Sequence, residues 1–259
     1  MSCTVQFAGE PVNYGALWSE FHGNFAELQP PHIYRSTRRL ARATSQPVML
    51  VAAALLAPWL ATCEALRQAM VAGKLVERAS ELASGAPRWR AVIGLFFQAT
   101  IFSLFAIFTA RGSGGAPSRL GAVAGELFLL VFAAFMLYDF AVLDMRPVLQ
   151  AHHYACLVCH AYAASLGTRD AAFRWYFAGV AALEAGSAAC NLWCLYPADA
   201  LWFYVVGMTV SNFASVDCVR RWAKSTTVAS RTGRVLSVTV LVVLAAIRQK
   251  MALDEAPVG

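Results

Sequence analysis

"LGAVAGELFLLVFAAFMLYDFAVL", residues 120–143, is a 24-residue stretch in which only Glu126 and Asp139 can carry charge. A helix of that length covers roughly 36 Å at about 1.5 Å per residue, enough to cross the ~30 Å hydrocarbon core of a bilayer. Five further stretches follow the same pattern, at 48–66, 91–110, 147–166, 171–195 and 198–218, separated by short loops rich in Arg, Gly, Ser and Pro. A seventh, 234–247, is shorter and β-branched ("VLSVTVLVVLAAI"), so it can be a tilted, extended or partly inserted segment. Composition agrees: the chain is 59% hydrophobic and only 14% charged, which excludes an ordinary soluble domain. The expected fold class is all-α, a multi-pass transmembrane bundle of six helices around a cavity, with 234–247 peripheral or completing a seventh span.

Trp89, Trp175, Tyr176, Trp193, Tyr196 and Trp222 fall near the span ends, where interfacial aromatics belong. Residues 1–46 are more polar, include "ELQPPHIYRSTRRLAR" and lack the apolar core of a secretory signal peptide. The organisation is therefore a polar or interfacial extension at 1–46, a transmembrane domain at 47–250 and a tail at 251–259. Gly125, Gly179, Gly186, Ser187 and Gly207 lie where helices need to approach closely.

The net charge of +6 does not point to nucleic acid, because Arg and Lys are spread over loops at span ends rather than gathered on one face. They read as topology and headgroup charges. Arg90 and Arg248 are counted among them. With seven spans the loops on the N-terminal side carry the larger share, which favours a cytoplasmic N-terminus.

Seven cysteines, mostly inside apolar spans, argue against a disulfide framework. "HHYACLVCH", residues 152–160, contains C-x-x-C-H from Cys156 to His160. In an exported chain that pattern attaches haem, but here it lies inside a hydrophobic span with no export signal. A zinc site from His152, Cys156, Cys159 and His160 is the rival, since their spacing puts them on one helical face. Cys190 and Cys194 are the sole second pair, so the expectation is no metal and no haem.

Ionisable groups inside a bilayer are costly and are functional candidates by default. Here they are Glu126, Asp139, His152, His153, His160 and Glu184, with the amides Asn191 and Asn212. For Glu126 and Asn212 a helix-to-helix hydrogen bond is the better reading.

Three runs carry a resemblance: "YDF" at 138–140, the pair His152 and His153 opening the next span, and "LEAGSAACN" at 183–191 in the span after it. Together they resemble the TLC domain, the family of ceramide synthases, translocating-chain-associated membrane proteins and smaller lipid-homeostasis proteins. Glu184, Ser187 and Asn191 sit in the register of that family's Leu-Glu-x-Ser-x-x-x-x-Asn-like run. The paired aspartates of ceramide synthases are missing, so the smaller members are the nearer match. The resemblance implies a six-helix TLC-type core in the endoplasmic reticulum or another endomembrane. Its partner would be a membrane lipid or acyl chain, with no bound cofactor and acyl-CoA as co-substrate. It also implies acyl transfer, with His152 or His153 as general base or nucleophile, Asp139 or Glu184 orienting its ring, and Asn191, Ser187 and Tyr204 contacting substrate. A non-catalytic lipid binder or regulator is the alternative; a seven-span receptor or channel has less support.

Depth gives an independent expectation. If the fourth helix starts at Pro147, His152 and His153 lie about 8 Å below that membrane face. Asp139 and Asn191 each lie four residues before the end of an opposed span, and Tyr204 six residues into the next. Asp139, His152 or His153, and Asn191 should therefore converge on one cavity beneath a single membrane face, with Glu184 below them.

Overall fold

The computed structural model describes residues 4–7, 10–13, 46–73, 87–110, 118–145, 147–168, 172–225 and 231–254. They fall into two units, Met1–Ala43 and Thr44–Gly259. The described part of the first is an antiparallel hairpin, β1 (Thr4–Phe7) and β2 (Glu10–Asn13), with Thr4 opposite Asn13 and Phe7 opposite Glu10. Sequence had suggested only a polar extension there; "ELQPPHIYRSTRRLAR" lies outside the described residues.

In the second unit every described element is a helix: α1 (Gln46–Ala72), α2 (Arg88–Thr109), α3 (Arg119–Val142), α4 (Pro147–Leu166), α5 (Phe173–Leu195), α6 (Pro197–Ser225) and α7 (Arg231–Asp254). Each apolar stretch found in the sequence has become one of them. Within α1, α2, α3 and α5 the segments Leu50–Ala72, Arg88–Thr109, Arg119–Val142 and Phe173–Leu195 are long and apolar enough to cross a membrane. The chain is thus an integral membrane protein by the length and composition of these helices. The surface of α6 fits the same setting, with Trp202, Phe203, Val206, Val210 and Phe213 all turned outward. Asp139, His153, His160 and Glu184 are turned inward, the polarity expected when lipid is the solvent.

The seventh segment is a continuous helix of 24 residues rather than a short β-branched piece. Its last seven residues, "RQKMALD", are mostly good helix formers, and two of them, Arg248 and Gln249, hydrogen-bond to other helices.

Local signals set the helix limits. Ser118 caps α3 by accepting from the Gly121 N–H at 2.9 Å. Pro147 and Pro197 open α4 and α6, where a missing N–H costs nothing. Gly167 follows α4 at φ 84°, the left-handed conformation that stops a helix. Only Tyr196 separates α5 from α6, and its carbonyl accepts from Ala200 N–H at 3.0 Å. The two helices thus fold back as a tight antiparallel pair. Glycines make that approach possible: a Cβ at Gly207 would lie 2.9 Å from the Ala189 Cβ, and one at Gly186 would strike Ser211.

The core between α2, α3 and α5 is aromatic. Phe97 stacks on Phe135 at 3.9 Å and Phe128 on Phe177 at 3.7 Å, all four essentially inaccessible. The Phe97–Phe135 pair forms the floor on which the polar layer described next is built.

Candidate functional site

α2 supplies the spine of the site. Arg90, Gly94 and Gln98 are spaced by four residues and share one helical face. Arg90 packs its guanidinium over Phe135, 4.3 Å from the ring centre. From there it forks onto Asp139 of α3, with Nε donating to Oδ1 at 2.7 Å and Nη2 to Oδ2 at 2.6 Å. Asp139 is fully buried, so this bidentate pair is shielded from solvent and is strong.

His153 of α4 completes the cluster, its Nε2 lying 2.9 Å from Asp139 Oδ2. Its Nδ1 donates to the Leu149 carbonyl of its own helix at 2.9 Å. A carbonyl can only accept, so Nδ1 carries a proton, and a further proton must lie between Nε2 and Oδ2. Both nitrogens of His153 are therefore engaged, and Asp139 fixes the ring. His152 is held more loosely. The Cys156 thiol approaches its Nε2 at 3.6 Å, and its Nδ1 makes no hydrogen bond among the described residues. The charge of Arg248 on α7 reaches both His152 and Cys156. The adjacent histidines thus face different surroundings: one is locked, the other presents a nitrogen.

Further along the spine, Gln98 joins the two polar residues of α5. Its Nε2 donates to Glu184 Oε2 at 3.2 Å, and its Oε1 accepts from Asn191 Nδ2 at 3.0 Å. Gly94 leaves room for both halves of the layer, because a Cβ there would collide with the Asn191 amide and press on the Arg90 guanidinium. Asp139, His153, Asn191 and Glu184 are therefore linked through one face of α2 by hydrogen bonds; a shared cavity beneath one membrane face, which counting depth leads one to expect, is a further step that these bonds do not define.

Tyr204 lies on the flank. It is buried and stacks on Trp193 at 4.8 Å with the planes 1° apart, in a cluster that Cys190 packs against. Ser187 belongs to a second hub. Arg248 Nη2 donates to the Leu183 carbonyl at 2.7 Å, Nη1 to Ser187 Oγ at 3.2 Å and Nε to Asn212 Oδ1 at 3.3 Å. Gln249 accepts from Asn212 at 3.1 Å and donates to Thr209 at 2.8 Å, tying α7 to α6.

Three further buried polar groups have defined partners. His160 Nε2 donates to the Leu129 carbonyl at 2.9 Å, its Nδ1 accepts from Tyr176 O–H at 2.6 Å, and Phe132 stacks on the ring. With both nitrogens used between α3 and α5, His160 has none left for a metal. Glu126 accepts from Thr168 at 2.6 Å, and Asn212 pairs with α7, which is the interhelical role that the sequence suggests for both.

Arg90 and Gln98 of this layer, and Arg248 of the second hub, are not among the candidates that the sequence singles out. Arg90 and Arg248 were counted as topology charges, yet both turn into the bundle. Gln98 is uncharged, so the cost of burying a charge does not mark it. For Arg90 and Gln98 the signal is spacing: they stand eight residues apart on a mostly apolar helix, with a glycine midway.

No protein-family model, curated protein or solved structure matches the chain. The reading of function rests on the residues themselves.

Proposed function

We propose that this is a TLC-type membrane protein of lipid metabolism, in which six spans and the seventh helix enclose an acyl-transfer site. The observation that carries this reading is the buried Arg90–Asp139–His153 cluster, set on the same helix face as the Asn191–Gln98–Glu184 chain. Burying so many charged and polar groups in a bilayer is costly, and such groups mark functional sites.

In this reading the two histidines divide the work. Asp139 and Arg90 hold His153 as a positioning residue, and His152 is the base. Its free nitrogen takes the proton from an amine or hydroxyl of a membrane lipid as that atom attacks the thioester carbonyl of acyl-CoA. The carbon–sulfur bond then breaks, and the CoA thiolate leaves with the proton returned from His152. Asn191, oriented by Gln98, keeps a second amide hydrogen for the developing oxyanion. The acyl chain lies among apolar side chains, Ser187 and Tyr204 border the substrate, and the compartment is the endoplasmic reticulum or another endomembrane.

A second reading, a non-catalytic lipid binder or regulator, is favoured by one observation: both nitrogens of His153 are already engaged. Proteoliposomes given labelled acyl-CoA separate the two. An acyltransferase forms an acylated lipid and loses that activity with His152→Ala while still folding; a binder retains lipid and forms no product.

A further inference from the structure

At the end of the bundle opposite the histidines, α6 and α7 diverge around a cleft of about 510 Å³, within the size range of pockets that hold small ligands. Its walls are aliphatic, with Val219 from α6 facing Val238 and Val242 from α7. Its rim is basic: Arg220 and Lys224 from α6, and Arg234 from the first turn of α7.

The surroundings place this rim at a membrane–water boundary. The outward apolar residues of α6 give way to Asp217, Arg220, Arg221 and Lys224. On the neighbouring end of α5, Trp175 is flanked by the guanidinium groups of Arg174 at 4.9 Å and Arg221 at 5.0 Å. Aromatic and basic residues gather in this way at the headgroup level. Positive charge is in surplus there. Asp217 is shared between Arg221 at 2.7 Å and Arg220 at 3.4 Å, while Lys224 and Arg234 have no carboxylate within salt-bridge distance among the described residues.

We infer that this cleft is a binding site for an anionic phospholipid, separate from the histidine layer: the phosphate lies between Lys224 and Arg234, and one acyl chain descends between Val219, Val238 and Val242. Charge decides the class of occupant. A zwitterionic lipid brings a cationic group to a rim that already carries excess positive charge, whereas an anionic headgroup neutralises it. The aliphatic walls exclude a free phosphate as the natural occupant, since such an ion would leave them uncovered. The inference does not depend on acyl transfer, because none of its residues belongs to that site.

The test uses the full chain in phosphatidylcholine nanodiscs containing a minority of phosphatidylglycerol, with retained lipid measured by native mass spectrometry after detergent washing. Phosphatidylglycerol should be enriched over its share of the bilayer. Lys224→Gln together with Arg234→Gln, which keep polar side chains of similar size at the rim, should reduce the enrichment by roughly tenfold or more, given about 1 kcal/mol per basic residue near an anionic surface. Val238→Trp, which fills the cleft, should lower retention of the lipid with the rim intact. Equal retention of both lipids, unchanged enrichment in either variant, or displacement of the lipid by inorganic phosphate alone would overturn the assignment.

Discussion

Replacing Arg90 by Met removes two short, parallel hydrogen bonds and leaves the Asp139 carboxylate, with no exposed surface, facing His153 alone. Removing one partner of a buried ion pair costs about 3–5 kcal/mol, because the remaining charge stays desolvated. Asp139→Leu should cost a similar amount by stranding the Arg90 guanidinium. The double variant Arg90→Met/Asp139→Leu strands neither charge and places two apolar side chains on the Phe97–Phe135 floor. It should therefore recover most of the loss, leaving about 1–2 kcal/mol for the His153 nitrogen that loses its partner. The expected coupling in the cycle exceeds about 2 kcal/mol. Reversible unfolding in mixed detergent micelles, followed by far-ultraviolet circular dichroism, gives the four stabilities. Asp217→Asn serves as a control: its pairs with Arg220 and Arg221 are exposed, and its unfolding curve should overlay that of the parent. Single variants costing less than about 1 kcal/mol, or a strictly additive double variant, would refute the description of this cluster as a desolvated ion pair.

Other expectations follow from the same layer. Gln98→Leu removes the bridge between Glu184 and Asn191 and should destabilise the protein by about 1–3 kcal/mol in the same unfolding assay, since both groups stay buried without their partner. Gly94→Ala should cost about 1–3 kcal/mol and lower any acyl transfer, because the new methyl displaces Asn191 and Arg90 from the spine. His153→Ala should lose stability while His152→Ala keeps it, which melting curves of the two variants will show. Purified protein should show no haem absorbance and no stoichiometric zinc by elemental analysis, since His160 is committed to Tyr176 and Leu129.

The helices were legible because span length is dictated by bilayer thickness, and an apolar run such as 120–143 has few other uses. That Asp139, His153 and Asn191 are joined through one helix, though not that they share a cavity, was legible for a related reason. In an alternating bundle depth follows from distance to the span end, so three residues on three helices can be placed in one layer before any packing is known. What escaped was direction around the helix. Arg90 and Arg248 sit near span ends, where a charge can reach either the headgroups or the interior; the choice is made by Gly94 and Gly186, whose missing side chains open the way inward. Nor could spacing tell His152 from His153, since it does not show that His153 meets Asp139 of α3 while His152 meets Cys156 of its own helix. The length of α7 is not visible in apolar runs because its last seven residues are tied to α5 and α6 by polar contacts of Arg248 and Gln249.

The most direct test of the acyl-transfer reading is mass spectrometry of lipid extracts from proteoliposomes of the full chain incubated with acyl-CoA, comparing the parent protein with His152→Ala. The account predicts an acylated lipid that accumulates with time together with released CoA in the parent, and its loss in a variant that melts at the parental temperature. Free CoA and acylated lipid no higher than in protein-free vesicles, or equal product from parent and His152→Ala, would contradict it.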